Sequence, residues 1–225
     1  MSRSLLPRAL VMTVGLAFLV SAIAPHDRLT WLLEVTPVIV GLPLLVALHR
    51  HYPLSTLLYL LLALFALGLL AGGHYSFARV PMGYWLQEWL GLDRNPYDRL
   101  GHFVQGVVPA LLTREILIRG GHVRGARMLA FLCVCVAMAL SAVYELVEWA
   151  AALLLGQGAE EFLGMQGDEW DTQADMFCAL LGAFTALTLL VPLHDRSLAR
   201  LSPNTAGRSP NVTASAGPEH RGGVR

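Results

Sequence analysis

Apolar residues fall in long blocks along this chain, separated by short polar stretches. Six blocks approach bilayer length: 9–24, 29–48, 54–71, 100–118, 128–155 and 174–193. A helix crosses a hydrocarbon core in about 20 apolar residues. The pattern predicts an all-α integral membrane protein, a bundle of six transmembrane helices within residues 1–195. Residues 196–225, rich in Ser, Pro, Gly and Arg, read as a disordered tail. The first block also has signal-peptide features, with Arg3 and Arg8 ahead of it and Ala22-Ile23-Ala24 where a peptidase would cut. Pro25 disfavours cleavage, so a retained first helix is the reading and removal the alternative.

The polar segments between the blocks carry direction. With the N-terminus inside, inner segments receive Arg3, Arg8, Arg50, Arg119, Arg124, Arg127, Arg196 and Arg200, while outer ones receive Arg28, Arg79, Arg94 and Arg99. The positive-inside bias then puts both termini in the cytoplasm and the segments around 72–99 and 156–170 in the periplasm of a bacterial inner membrane. Residues 80–92, with Tyr84, Trp85 and Trp89 among leucines, predict a periplasmic interfacial helix at the headgroup level, serving at least as an anchoring belt.

Composition agrees with the pattern. Hydrophobic residues make up 55% and charged residues 14%, against about a quarter charged in soluble domains, and mean hydropathy is +0.55. The formal net charge is zero, which argues against a nucleic-acid partner; membrane lipids are the expected surroundings. All 16 basic residues are arginine, so no lysine is available for a Schiff base. Cys133, Cys135 and Cys178 form no Cys-x-x-Cys pair and read as small hydrophobes without a disulfide.

Against this background, three stripes of polar residues stand out: Asp98–His102–Gln105, Ser141–Glu145–Glu148 and Asp168–Asp171–Asp175. Each is spaced by three or four residues and so lies on one helix face. Glu145 falls about 25 Å along the fifth block, at 1.5 Å per residue, which brings it to the depth at which the fourth and sixth blocks begin. Glu34 and His74 fall near that depth too. Ionisable groups inside a bilayer are expensive, which makes them functional candidates. Singly, several have plainer roles. Asn95, Pro96 and Asp98 resemble a helix start, and Thr172-Gln173-Ala174-Asp175 fits a capping box, with Asp171 an alternative cap. Glu145 and Glu148 lie mid-block, where no cap is needed.

Carboxylates and a histidine brought together can hold a divalent metal ion. The expected ligands are His102, Glu145, Glu148 and Asp175, with Asp98 and Asp171 as orienting groups or a general base, and Glu34, His74, Asp168 and Arg99 around them. The same residues fit a proton relay or cation vestibule, or polar contacts joining helices. Arg79, Arg94 and Arg99 could meet phosphate headgroups.

The runs His74-Tyr75, Arg94-Asn95-Pro96-Tyr97-Asp98-Arg99-Leu100-Gly101-His102-Phe103, Ser141-Ala142-Val143-Tyr144-Glu145-Leu146-Val147-Glu148-Trp149 and Gln166-Gly167-Asp168-Glu169-Trp170-Asp171-Thr172-Gln173-Ala174-Asp175-Met176 resemble the YjdF-type family of uncharacterised bacterial inner-membrane proteins, over roughly residues 72–190. A looser resemblance is to VanZ-like membrane proteins, through Asp98-x-x-x-His102-Phe103, Ser141-x-x-Tyr144-Glu145 and Asp175 followed by Leu181-Gly182-Ala183. Glu148-Trp149 and Met176-Phe177-Cys178 depart from that pattern. The resemblances imply a cell-envelope setting and carry over no reaction. Three readings stay open: a metal-dependent enzyme on a lipid or lipid-linked envelope precursor, a proton- or cation-linked binding or transport protein, and a non-catalytic assembly protein.

Overall fold

The computed structural model describes residues 5–155 and 164–201. The expected tail beyond 201 and part of the acidic 156–170 segment lie outside them. The described residues are helical, with no strand among them: α1 (Leu5–Ser21), α2 (Arg28–Leu48), α3 (Thr56–Tyr75), a 3-10 turn (Phe77–Arg79), α4 (Pro81–Leu90), α5 (Tyr97–Gly120), α6 (Ala126–Leu155), α7 (Asp171–Thr185) and α8 (Val191–Ala199). A π turn at Ala186–Leu190 joins α7 to α8, so that Asp171–Ala199 forms one long rod. Pro192, which has no N–H to continue an α ladder, follows that turn.

Among the described residues, four helices are long and apolar enough to cross a membrane: α2, α3, α6 and the Asp171–Ala199 rod. α1 is apolar and shorter, at 17 residues. α5 has the length, with 24 residues, but Asp98, Arg99, Arg114, Glu115 and Arg119 lower its apolarity. At most 33% of any span's apolar window is buried inside the protein, so most of that surface needs lipid around it.

Two bundles meet at α3 and α5. α1 and α2 pack on α3 around Val14, Val35, Val38 and Leu70. α5, α6 and α7 form the other bundle, with Val107, Leu111, Cys133, Ala137 and Ala183 at its core. Cys133 is buried there, whereas Cys135 is exposed; all three thiols are free.

The α5–α7 crossing is a close one and rests on small residues. A Cβ at Gly106 would strike the Ala179 carbonyl, and one at Gly182 would strike the Phe103 carbonyl. Such small-residue contacts let two backbones touch. The crossing also fixes register, because His102 lies one turn before Gly106 and Asp175 one turn before Ala179.

α4 runs over 10 residues with Trp85 72% and Trp89 80% exposed. Gly91 closes it at φ 63°, a left-handed position suited to glycine. The sixth block starts earlier than its apolar pattern implied, at Asp171, and α8 carries the helix to Ala199.

Candidate functional site

The α5 chain enters its helix through Asn95. The Asn95 side chain accepts from the Tyr97 N–H (3.0 Å) and donates to the Val80 carbonyl (3.1 Å), while its backbone exchanges bonds with the Gln166 amide at 3.0 and 2.9 Å. Asn95 thus ties the α4–α5 and α6–α7 connections together, while the cap position of α5 falls to Pro96 and not to Asn95 as expected. Arg94 completes the tie. Its guanidinium donates to the Met165 and Gly164 carbonyls, at 3.1 Å each, and pairs with Asp171.

Those contacts correct three expectations. Asp168 does not continue the α7 face: it lies in a turn before the helix, where its carboxylate accepts from the Trp170 N–H and pairs with Arg99. Asp171 is not a cap; it is the first residue of α7, held by Arg94. The Thr172–Asp175 capping box does not form either, as no side chain caps α7. For Asp168 and Asp171 the reason is the arginines: Arg99 on α5 pairs with Asp168 and Arg94, in the α4–α5 connection, pairs with Asp171, and charge-assisted pairs are stronger than neutral ones.

Asp168 is also the site group outside the spans. The Trp170 N–H, followed by the Arg99 and Arg94 guanidiniums, holds its carboxyl below the usual aspartate range.

Behind this clasp, α5, α6 and α7 bring their stripes together. Asp98, His102 and Asp175 are all buried, and one potential ligand atom from each lies within 4.8 Å of the others. His102 Nε2 is 3.6 Å from Asp98 Oδ1, and His102 Nδ1 is 3.6 Å from Glu145 Oε1. Both gaps exceed hydrogen-bond length. Accordingly His102 Nδ1, Glu145 Oε1, Asp175 Oδ1 and Ser141 Oγ are buried without a hydrogen-bond partner among the described residues. Four such atoms in one cluster is unusual, since buried polar atoms are nearly always paired.

The wall of the cluster comes from α2 and α6. Glu34, buried, accepts from the Tyr144 hydroxyl at 2.7 Å, and the Tyr144 ring meets the His102 ring edge-on at 5.9 Å. Glu148 is buried one turn beyond Glu145. His74 turns elsewhere: its Nδ1 lies 3.0 Å from the Ser21 carbonyl, fastening α3 to the end of α1.

Two features escaped the sequence reading. Tyr144 stands in the sequence only as part of a motif, yet with Glu34 it forms a long-range link between α2 and α6. At the opposite end of the bundle a second buried network joins Glu115 to the Ser55 N–H (2.9 Å), Arg119 (2.9 Å) and His194 (3.1 Å), with Arg114 reaching His194 and Asp195. The adjacent charges Arg114-Glu115 inside an apolar block were the available signal.

The first cluster groups buried carboxylates with an imidazole. Asp171 and Asp168 have arginine partners, whereas Asp98, Asp175, Glu145, Glu148 and Glu34 have none within the bonds described here. A histidine and hard carboxylate oxygens suit a divalent ion.

The whole chain can be compared with known proteins. Over 203 residues, covering 89% of this chain and 97% of the relative, it is 58% identical to the Inner membrane protein YjdF of Escherichia coli strain K12. No solved structure matches it. The YjdF-type resemblance is borne out by these findings, while the VanZ-like one rests on its motifs alone. The family model described as Predicted membrane protein (DUF2238) matches residues 6–196, and the chain belongs to that family of membrane proteins.

Proposed function

We propose that this is an integral inner-membrane protein that holds one divalent cation between Asp98, His102 and Asp175 and acts with it on a lipid or lipid-linked envelope precursor. The observation carrying the reading is the convergence of buried Asp98, His102 and Asp175, each offering one potential ligand atom within 4.8 Å of the others. Atoms sharing one ion at ~2.0–2.2 Å lie about 3–3.5 Å apart. The 3.6 Å between His102 Nε2 and Asp98 Oδ1 is close to that separation and too long for a hydrogen bond.

The roles differ from those expected by sequence. Nε2, on the Asp98 side, is the ligand nitrogen. Nδ1–H points to Glu145, which becomes the carboxylate that fixes the ring and its tautomer. Asp171 is neutralised by Arg94 and positions α7 instead of serving as a base. Glu148, buried one turn beyond Glu145 and without an arginine, is the carboxylate left over as a proton acceptor. The cation, when bound, would polarise a phosphoryl or carbonyl oxygen as a Lewis acid.

Six spans follow in this reading, because α1 and α5 join the four apolar helices; α4 lies at the outer headgroup level on Trp85 and Trp89. The cluster then opens to the periplasm, as Arg8, Arg50, Arg119, Arg124, Arg127, Arg196 and Arg200 gather at the other end.

The test is the metal content of the full chain purified without chelators. About one divalent ion per chain is expected, falling below a tenth in Asp175→Asn and His102→Gln. Glu145→Gln should weaken affinity by roughly 10–100-fold without abolishing binding. A metal-free wild type, with Gln and Asn variants equally stable, would leave polar helix-joining contacts as the better account. Proton-coupled flux in liposomes would favour transport.

A further inference from the structure

A cavity of about 1410 Å³ opens between α1, α2 and α3, far from the carboxylate cluster and larger than the ~300–1,000 Å³ of ordinary ligand pockets. It exists because α1 and α2 both pack on α3 and meet each other at the far end, where Trp31 packs on Phe18 and donates to Ser21 Oγ at 3.1 Å. α2 contains Pro37 and Pro43, which leave the Leu33 and Ile39 carbonyls without their helical donors and disfavour a straight course against α1. The walls are apolar, with Leu10, Val38, Leu42 and Phe65 among them. Gly41 also lines it, and a Cβ built there meets nothing within 4 Å.

One end of the cavity differs. Arg8, Arg50 and Arg200 line it there, all three are exposed, and none pairs with a carboxylate among the described residues. Arg200 is brought to this mouth by α8, which is pinned to the start of α3 by the Leu57 N–H donating to Ser197 Oγ at 3.0 Å. An apolar slot bounded by bilayer-length helices and rimmed by three free guanidiniums is complementary to one occupant: a phospholipid with an anionic headgroup. Arginine matches phosphate oxygens in a bidentate way.

We infer that the α1–α2–α3 groove is a site for an anionic phospholipid, with its acyl chains between α1 and α2 and its phosphate held by Arg8, Arg50 and Arg200. The site needs no metal and does not depend on the carboxylate cluster. By the arginine bias it faces the inner leaflet.

Native mass spectrometry of the full chain tests it, with dioleoyl-phosphatidylglycerol and dioleoyl-phosphatidylcholine titrated in turn. Wild type should retain one phosphatidylglycerol with a preference of roughly tenfold or more over phosphatidylcholine. The combined Arg8→Gln, Arg50→Gln, Arg200→Gln variant should keep a lipid and lose the preference. Gly41→Phe fills open space, so it should lose both lipids at an unchanged melting temperature. Equal retention of the two lipids by wild type would overturn the inference. So would a preference that survives the triple substitution, lipid retention unchanged in Gly41→Phe, or a dimer that seals the groove with a second copy.

Discussion

At the scale of single residues, His102 is the pivot of the molecule. It stands between Asp98 and Glu145 with neither gap short enough for a hydrogen bond, and its ring rests edge-on against Tyr144. Tyr144 has its hydroxyl committed to Glu34, so the ring that flanks His102 is itself fixed from α2. Tyr144→Phe removes the hydroxyl that donates to the buried Glu34 carboxylate. That should cost about 1–3 kcal/mol, read as a lower melting temperature, whereas Glu34→Gln with Tyr144→Phe should recover part of the loss in a double-mutant cycle. Asp168 offers a pH test. Its folded pKa lies below the ordinary value, so the clasp it forms with Arg99 is fully present above about pH 4, the unfolded aspartate range. It is lost as pH falls through the depressed folded value. Hydrogen exchange of residues 165–170 should stay slow at pH 5 and quicken only in stronger acid; Asp168→Asn should exchange fast at both.

At the scale of elements, the α5–α7 crossing places the site. Gly106 and Gly182 sit where any side chain would meet the facing backbone, and Asp98, His102 and Asp175 lie within two turns of those contacts. Gly106→Leu should therefore separate the helices, cost about 1–3 kcal/mol through overpacking, and abolish metal retention although it touches no ligand. A matched Gly15→Leu, at a position with nothing within 4 Å, should do neither. This crossing also marks the limit of what the sequence could tell. Helical spacing put Asp98 with His102 and Glu145 with Glu148 correctly, because periodicity within a helix is local. It could not separate Asp168 from the stripe of Asp171 and Asp175, since Asp168 lies in the turn before α7 and is held there by Arg99 arriving from α5. Nor could it show that His74 bonds the end of α1, or that Glu115 and His194 meet across some 80 residues.

At the scale of the whole molecule, the two ends of the bundle are chemically opposite. One gathers carboxylates behind an arginine clasp; the other gathers most of the described arginines, with Glu115 buried among Ser55, Arg119 and His194. The apolar blocks made the membrane class and the helices legible. The number of crossings was less so, since α5 mixes the length of a span with five charged residues. If the arginine asymmetry sets the orientation, reporter fusions after Arg50, Arg124 and Arg196 should report cytoplasm, and fusions near Arg94 and Gln166 periplasm. A cytoplasmic signal at Gln166 would invert the site.

The claim on which the functional account turns is that Asp98, His102 and Asp175 enclose a cation. Anomalous scattering from crystals of the full chain grown with Mn²⁺ tests it most directly. A single anomalous peak at the manganese edge, within about 2.5 Å of a carboxylate oxygen from Asp98 and from Asp175 and of a ring nitrogen of His102, is the predicted result. The same map without a peak in the cluster, with Asp98 and Asp175 instead hydrogen-bonded directly to the imidazole, would contradict it.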